Sequence, residues 1–193
     1  MKKLFSFTIL LIGSNFMMAF NPIKEDVYTI DAASSSISWS AKKVGGGHTG
    51  TVKITNGSLV YDGKSLQKGV FLMDMSSITS DNERVTTHLK SPDFFSAEKN
   101  PTSKFEITSV SPGGKDRVNI TGNLIIKGIT HPLTFPATVK QGKGVLVAAA
   151  SGIKVDRTKY DIKFRSKTFF GDIGDKAIDD EFELSINLTA KKS

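Results

Sequence analysis

Apolar residues recur at every second position along most of this chain. Ile37, Trp39 and Ala41 alternate with Ser36, Ser38 and Ser40. That period belongs to a half-buried strand rather than a helix. Val52-x-Ile54 follows, then Asn56-Gly57, a dipeptide that predicts a hairpin turn, then Leu59-x-Tyr61 and a further turn at Asp62-Gly63. Phe71-x-Met73-x-Met75 continues the pattern, with Val70 and Leu72 making that strand apolar on both faces. Phe105-x-Ile107 comes next, then a long alternation from Val118 through Ile120, Gly122 and Leu124 to Ile126. After Lys127-Gly128 come Leu133, Phe135, Ala137 and Val139, a glycine-rich turn over residues 141–144, a strand of small and branched residues over 145–155, and Phe182-x-Leu184-x-Ile186-x-Leu188. Short strands separated by turn signals predict an all-β fold, an antiparallel barrel or sandwich of roughly eight strands.

Residues 80–101 break this rhythm. Ser80 with Glu83 three positions on fits a capping box, and Val85 and Leu89, four apart, share one face of the predicted helix. Ser91-Pro92 predicts a second short turn carrying Phe94 and Phe95, and Asn100-Pro101 returns the chain to strand. An adjacent phenylalanine pair in a connection needs cover. A helix across a barrel mouth would bury it, either as a plug of the core or as the wall of a ligand site.

Composition narrows the class. The 193 residues suit one domain, without repeats or heptads, and the chain contains no cysteine. Disulfides, thiolate metal sites and lipid attachment through cysteine are therefore excluded. Lys2 and Lys3 precede an uncharged apolar run over residues 4–20, the pattern of a secretory signal. Residues 1–19 are read as that signal and 20–193 as the domain, placing the protein in the periplasm or medium. Its removal lowers the formal charge from +7 to +5. The remaining lysines are scattered rather than gathered with aromatics, which argues for solubility and against a nucleic-acid surface.

Local chemical motifs are sparse. His48, His88 and His131 have no ligand spacing among them, so no metal site is expected. The run from Gly45 to Gly50 lacks the lysine and helix of a phosphate loop. No nucleophile elbow occurs. Asp172, Asp175, Asp179, Asp180 and Glu181 lack the ordered positions of an EF-hand and read as a solvated turn. Arg84 and Arg157 are the polar candidates near an opening, either as surface ion pairs or as head-group contacts.

Several segments together resemble the YceI-like family. They are Tyr28-Thr29-Ile30-Asp31 with Ile37 and Trp39, and residues 50–59. The most specific block combines Ser77-Ile78-Thr79, Arg84, His88-Leu89-Lys90-Ser91, Asp93-Phe94-Phe95, Pro101 and Phe105. Thr121-Gly122-Asn123-Leu124, Lys127-Gly128-Ile129-Thr130 and Asp156-Arg157-Thr158 complete the match, which runs from about Tyr28 to Ala190. Lys43, where relatives often carry histidine, and Tyr160-Asp161, where phenylalanine-glycine is frequent, depart from the pattern. The resemblance implies a lipocalin-like antiparallel eight-stranded barrel with a short helical segment near one end. It implies an elongated apolar cavity for an isoprenoid or other amphipathic lipid, for example an isoprenoid quinone, with no catalytic residues and no further cofactor.

Alternation then nominates the apolar lining: Ile37, Trp39, Val52, Ile54, Phe71, Met73, Met75, Phe105, Leu124 and Ile126. Leu89, Phe94 and Phe95 would close or line one end, and Arg84 or Arg157 would meet a head group. Transient membrane contact and a homodimer fit such a carrier. The rival readings are a filled barrel acting as an envelope stress or interaction protein, and a small secreted hydrolase.

Overall fold

The computed structural model describes residues 25–114 and 117–193, so the signal expected over residues 1–19 lies outside the described residues. Nine strands form one antiparallel sheet: β1 (Asp26–Ile30), β2 (Ser36–Lys43), β3 (Gly46–Tyr61), β4 (Leu66–Ser80), β5 (Thr102–Pro112), β6 (Val118–Ile126), β7 (Ile129–Gly142), β8 (Val145–Asp156) and β9 (Ile178–Lys192). The sheet runs β2-β9-β8-β7-β6-β5-β4 and closes through β4 onto β3, which pairs with β2. Those eight strands are the expected barrel. β1 is an extra strand: it pairs with the far part of β3 and with the end of β9, so it extends the wall place that β2 begins. The break between them is the 3-10 turn Ala32–Ser34, capped by the Asp31 carboxylate accepting from the N–H groups of Ala33 and Ser34.

The Asn56-Gly57 dipeptide is not a turn. β3 runs straight through it, with a register shift against β4 between Ile54 and Asn56. The glycine answers crowding instead of backbone reversal. A Cβ on Gly57 would lie 2.7 Å from Ile30 Cδ1 and 2.8 Å from Phe71 Cβ. Helix α1 (Glu83–Lys90) forms as expected but starts at Asn82, not Ser80. The Asn82 side chain accepts from the N–H groups of Arg84 and Val85, and Ser80 N–H is taken by Thr86 Oγ1 at 2.8 Å. Asp161, where relatives often have glycine, adopts φ 57° and closes the 3-10 turn Arg157–Tyr160, a conformation aspartate tolerates better than most residues.

The interior follows the alternation, and its middle is filled by an aromatic ladder. Phe71 on β4 and Phe105 on β5 have ring centroids 5.5 Å apart, and Phe105 meets Phe135 on β7 at the same spacing. β6 lies between β5 and β7, so a side chain on it would separate those two rings. At that point β6 has Gly122, where a Cβ would stand 2.5 Å from Phe105 Cζ and 2.5 Å from the Glu106 carbonyl oxygen. Gly122→Ala should therefore destabilise the barrel by about 1–3 kcal/mol through overpacking. In a double-mutant cycle by urea denaturation, Phe105→Leu should recover only part of that loss, because it relieves the ring contact and not the carbonyl contact.

Candidate functional site

Above the aromatic ladder, at the α1 end of the barrel, the inner walls stand apart. They enclose a cavity of about 90 Å³. Four strands from opposite sides supply most of it: Ile37 and Trp39 from β2, Met73 and Met75 from β4, Leu124 and Ile126 from β6, Phe182 and Leu184 from β9. Val52 of β3 and Ala41 of β2 add to the wall. Trp39 is held by its indole N–H, which donates to the Thr79 carbonyl at 3.2 Å. Its ring lies against Gly50, where a Cβ would come within 2.7 Å of Cζ2. A Cβ there would also overlap the Thr79 carbonyl oxygen, so Gly50 is required first by the close β3–β4 backbone approach and then by the tryptophan ring.

A bulge in β4 re-aims the wall near the rim. Asp74 Oδ1 accepts from the Ser76 N–H and hydroxyl, and Ser77 Oγ donates to the Asp74 carbonyl. The inward positions therefore step from Met75 to Ile78, three residues on, and Ile78 joins the cavity lining.

The cover is Leu89 of α1 with Phe94 and Phe95 of the following turn, all three facing the cavity. Backbone bonds fix that turn: Phe94 N–H to the Ser91 carbonyl and Phe95 N–H to the Leu89 carbonyl, at 3.1 and 3.0 Å. His88 packs edge-on against Phe94 and against Phe164, at 4.9 and 4.7 Å between ring centroids. Its Nε2 lies 3.0 Å from Asp93 Oδ2. Phe94 is buried, whereas Phe95 remains partly exposed at the rim.

Other nominated residues fall elsewhere. Phe71 and Phe105 line a second, smaller hollow of about 20 Å³ on the far side of the ladder, which shares no lining residue with the first. Ile54 is buried but borders neither hollow. Arg84 is exposed on α1 and does not line the cavity.

Arg157 does line it, and its role is structural. The side chain is only 5% exposed. Nε donates to the Asp179 carbonyl at 2.9 Å, Nη1 to the carbonyls of Ile162 and Phe164 at 2.9 and 3.0 Å, and Nη2 to that of Ile178 at 3.0 Å. Asp180 Oδ1 stands 3.5 Å from Nη2. Burial pulls the guanidinium pKa below its ordinary value, with Asp180, Asp156 and Asp179 acting in the opposite direction, yet arginine remains charged. With four of five N–H donors engaged and a carboxylate beside the fork, head-group pairing gives way to bracing the rim. Neighbouring Tyr160 is also buried, and burial first, then Asp156, pushes its phenol up to about 12.

Ser103, Ile162 and Ile178 also line the cavity without having been nominated. Ser103 had a readable signal, since it stands two before Phe105 on the same inward face. Ile162 sits in irregular chain and had none, and the alternation that would reach Ile178 from Phe182 and Leu184 is interrupted by Asp180. A hydrolytic arrangement gains no support from the closest polar trio. Asp81 Oδ1 sits between Ser80 Oγ and His48 Nδ1, 2.8 Å from each, whereas a relay needs the histidine between acid and hydroxyl. No group of three metal-ligating side chains occurs among the described residues.

The YceI-like domain model matches residues 28–190. A UPF0312 protein of Pseudomonas aeruginosa is 38% identical over 84 residues, covering 42% of this chain and 44% of that protein, so the chain spans under half the length of that relative. A UPF0312 protein of Pseudomonas putida is 28% identical over 138 residues, covering 69% of this chain and 71% of its own. Among solved structures, BcnA of Burkholderia cenocepacia aligns with a TM-score of 0.72 at 21% identity, over 84% of this chain and 99% of that one. A domain of Saccharophagus degradans described as polyisoprenoid binding aligns at 0.64 and 12% identity, over 86% and 98%. At these identities the structural likeness establishes the fold.

The Arg157 brace carries a direct expectation. Arg157→Ala leaves four carbonyls and Asp180 uncompensated, and should cost about 3–5 kcal/mol in urea unfolding. Arg157→Lys should recover little, since an ammonium lacks the flat fork that reaches all four oxygens.

Proposed function

Because the chain belongs to the YceI-like family, we propose that it sequesters or carries a slender isoprenoid-like lipid, for example an isoprenoid quinone, in the cavity under α1. The observation that carries this reading is the cavity wall, in which every residue except Ser103 and Arg157 is apolar. The polyisoprenoid-binding description of the Saccharophagus degradans relative supports the ligand class. The signal pattern over residues 1–19 supports export to the periplasm or medium, where a lipid needs a soluble host.

A tail removing roughly 400 Å² of apolar surface from water gains on the order of 10 kcal/mol before ordering costs. Met73 and Met75 add side chains that adapt to a flexible tail.

A membrane is the natural source of such a ligand. On the short helix α2 (Lys167–Phe170), beyond the rim, Phe169 is 49% and Phe170 57% exposed. Arg165 and Lys167 flank them, and Lys163 Nζ lies 5.0 Å from the Phe169 ring centre. Lys43 pairs in register with cavity-lining Ile178, whose N–H bonds the Arg165 carbonyl. Asp172 and Asp175 offset part of this charge, so shallow insertion of the two phenyl rings provides the contact.

Native mass spectrometry of protein purified gently from its own host, with extraction of any adduct, tests the reading; a clean ligand-free mass that does not shift with isoprenoid quinones removes it. Phe94→Asp with Phe95→Asp should abolish lipid retention while the β-sheet circular dichroism persists. Should that pair disturb the lid, Met75→Trp fills the same space without charge and should also abolish retention. Phe169→Ser with Phe170→Ser should slow ligand transfer from vesicles by roughly an order of magnitude in a stopped-flow assay; an unchanged rate removes the membrane contact.

A further inference from the structure

Among the described residues, Ser103 is the one polar side chain lining the cavity whose hydrogen-bonding capacity is unused. It follows Pro101-Thr102 at the start of β5 and pairs in register with Met73. Its side chain shares the inward face with Phe105 and Ile107, and the residue is 3% exposed. Its Oγ has no hydrogen-bond partner among the described residues. Ser91 and Ser166 also carry unpartnered hydroxyls, but neither borders the cavity. A buried hydroxyl without a partner opposes folding, and polar atoms in an otherwise apolar pocket are what orient a ligand within it.

We infer that the ligand is uncharged and places one oxygen, a carbonyl, hydroxyl or ether, against the Ser103 hydroxyl inside the cavity. This rests on the lipid-carrier reading and narrows it. A carboxylate or phosphate at the same place would be surrounded by Met73, Leu124 and Ile126. The only cation lining the cavity among the described residues is Arg157, already bonded to four carbonyls and facing Asp180. Burying an unpaired charge there is prohibitive, whereas a neutral oxygen needs only a single partner. The ligand class is therefore isoprenoid alcohols, quinones and esters, not prenyl phosphates or free fatty acids. A head group of that kind sits part-way down the barrel, between the lid and the aromatic ladder.

The test uses delipidated protein and three probes with matched tails: geranylgeraniol, geranylgeranyl diphosphate and the corresponding hydrocarbon. Trp39 is the single tryptophan and lines the cavity, so its fluorescence reports occupancy. The alcohol should bind more tightly than the diphosphate. Ser103→Ala should weaken the alcohol by roughly three- to tenfold, the worth of one neutral hydrogen bond, and leave the hydrocarbon unaffected. The melting temperature of ligand-free Ser103→Ala should equal or exceed that of the parent, a sign opposite to that of a structural hydrogen bond. Equal binding of the alcohol by parent and variant, or a diphosphate that binds as tightly as the alcohol, overturns the Ser103 assignment while leaving a lipid carrier standing. Failure of all three probes, the hydrocarbon included, overturns the carrier reading and this inference with it.

Discussion

The approach of the Phe105 ring to the bare backbone of Gly122 divides the interior of this barrel. A barrel of this size has room for one layer of inward side chains meeting across the axis. Because β6 contributes nothing at Gly122, rings from β5 and β7 join over it, and with Phe71 they make a continuous floor. Below that floor lies the smaller hollow of about 20 Å³. Above it the inward residues of β4 and β6 change to Met73, Met75, Leu124 and Ile126, and the larger hollow opens beneath Phe94 and Phe95. The ladder thus separates the two hollows, and the larger one lies at the α1 end.

The rim depends on a second concentration of interactions. Between Arg157 and Ile178 the chain has little regular structure, so its carbonyls lack ladder partners. The guanidinium collects four of them from two separated stretches, Ile162 with Phe164 and Ile178 with Asp179. That bracing sets Ile162 and Ile178 against the cavity and leaves α2 to project outward. A charged side chain therefore acts here as a backbone clamp, which explains how an apolar hollow can contain an arginine in its wall.

Much of the architecture was legible because strands read directly as period two. The inward faces of β2, β4, β5 and β6 follow from Ile37 and Trp39, Phe71 to Met75, Phe105 and Ile107, and Leu124 and Ile126, each placed by alternation alone. What failed did so where a local signal had two physical causes. Asn56-Gly57 has the composition of a turn, but its glycine serves the close approach of Ile30, which is distant in sequence and invisible to a local reading. Ser80 offered a plausible helix cap, yet Asn82 lay nearer the first turn. Ile78 moved inward only because Asp74 organises a bulge. Arg157 could be placed near an opening, but nothing in its neighbours reveals that carbonyls up to Asp179 consume its donors. Ile162 had no periodic context, and Ile178 is in phase with Phe182 and Leu184 but cut off from them by the acidic run at residues 179–181.

The placement of β9 has a kinetic consequence. β9 lies between β2 and β8 and also pairs with β1, and the Ser193 hydroxyl meets that of Thr29 across 164 residues of sequence, at 2.7 Å. Without β9 the sheet is an open ribbon with β2 and β8 as unpaired edges and no enclosed interior. Closure is then a late, long-range event, of the sort that slows folding through loop entropy. A partly folded state that lacks β9 therefore has no lipid-holding compartment, and one forms only when that strand docks between β2 and β8.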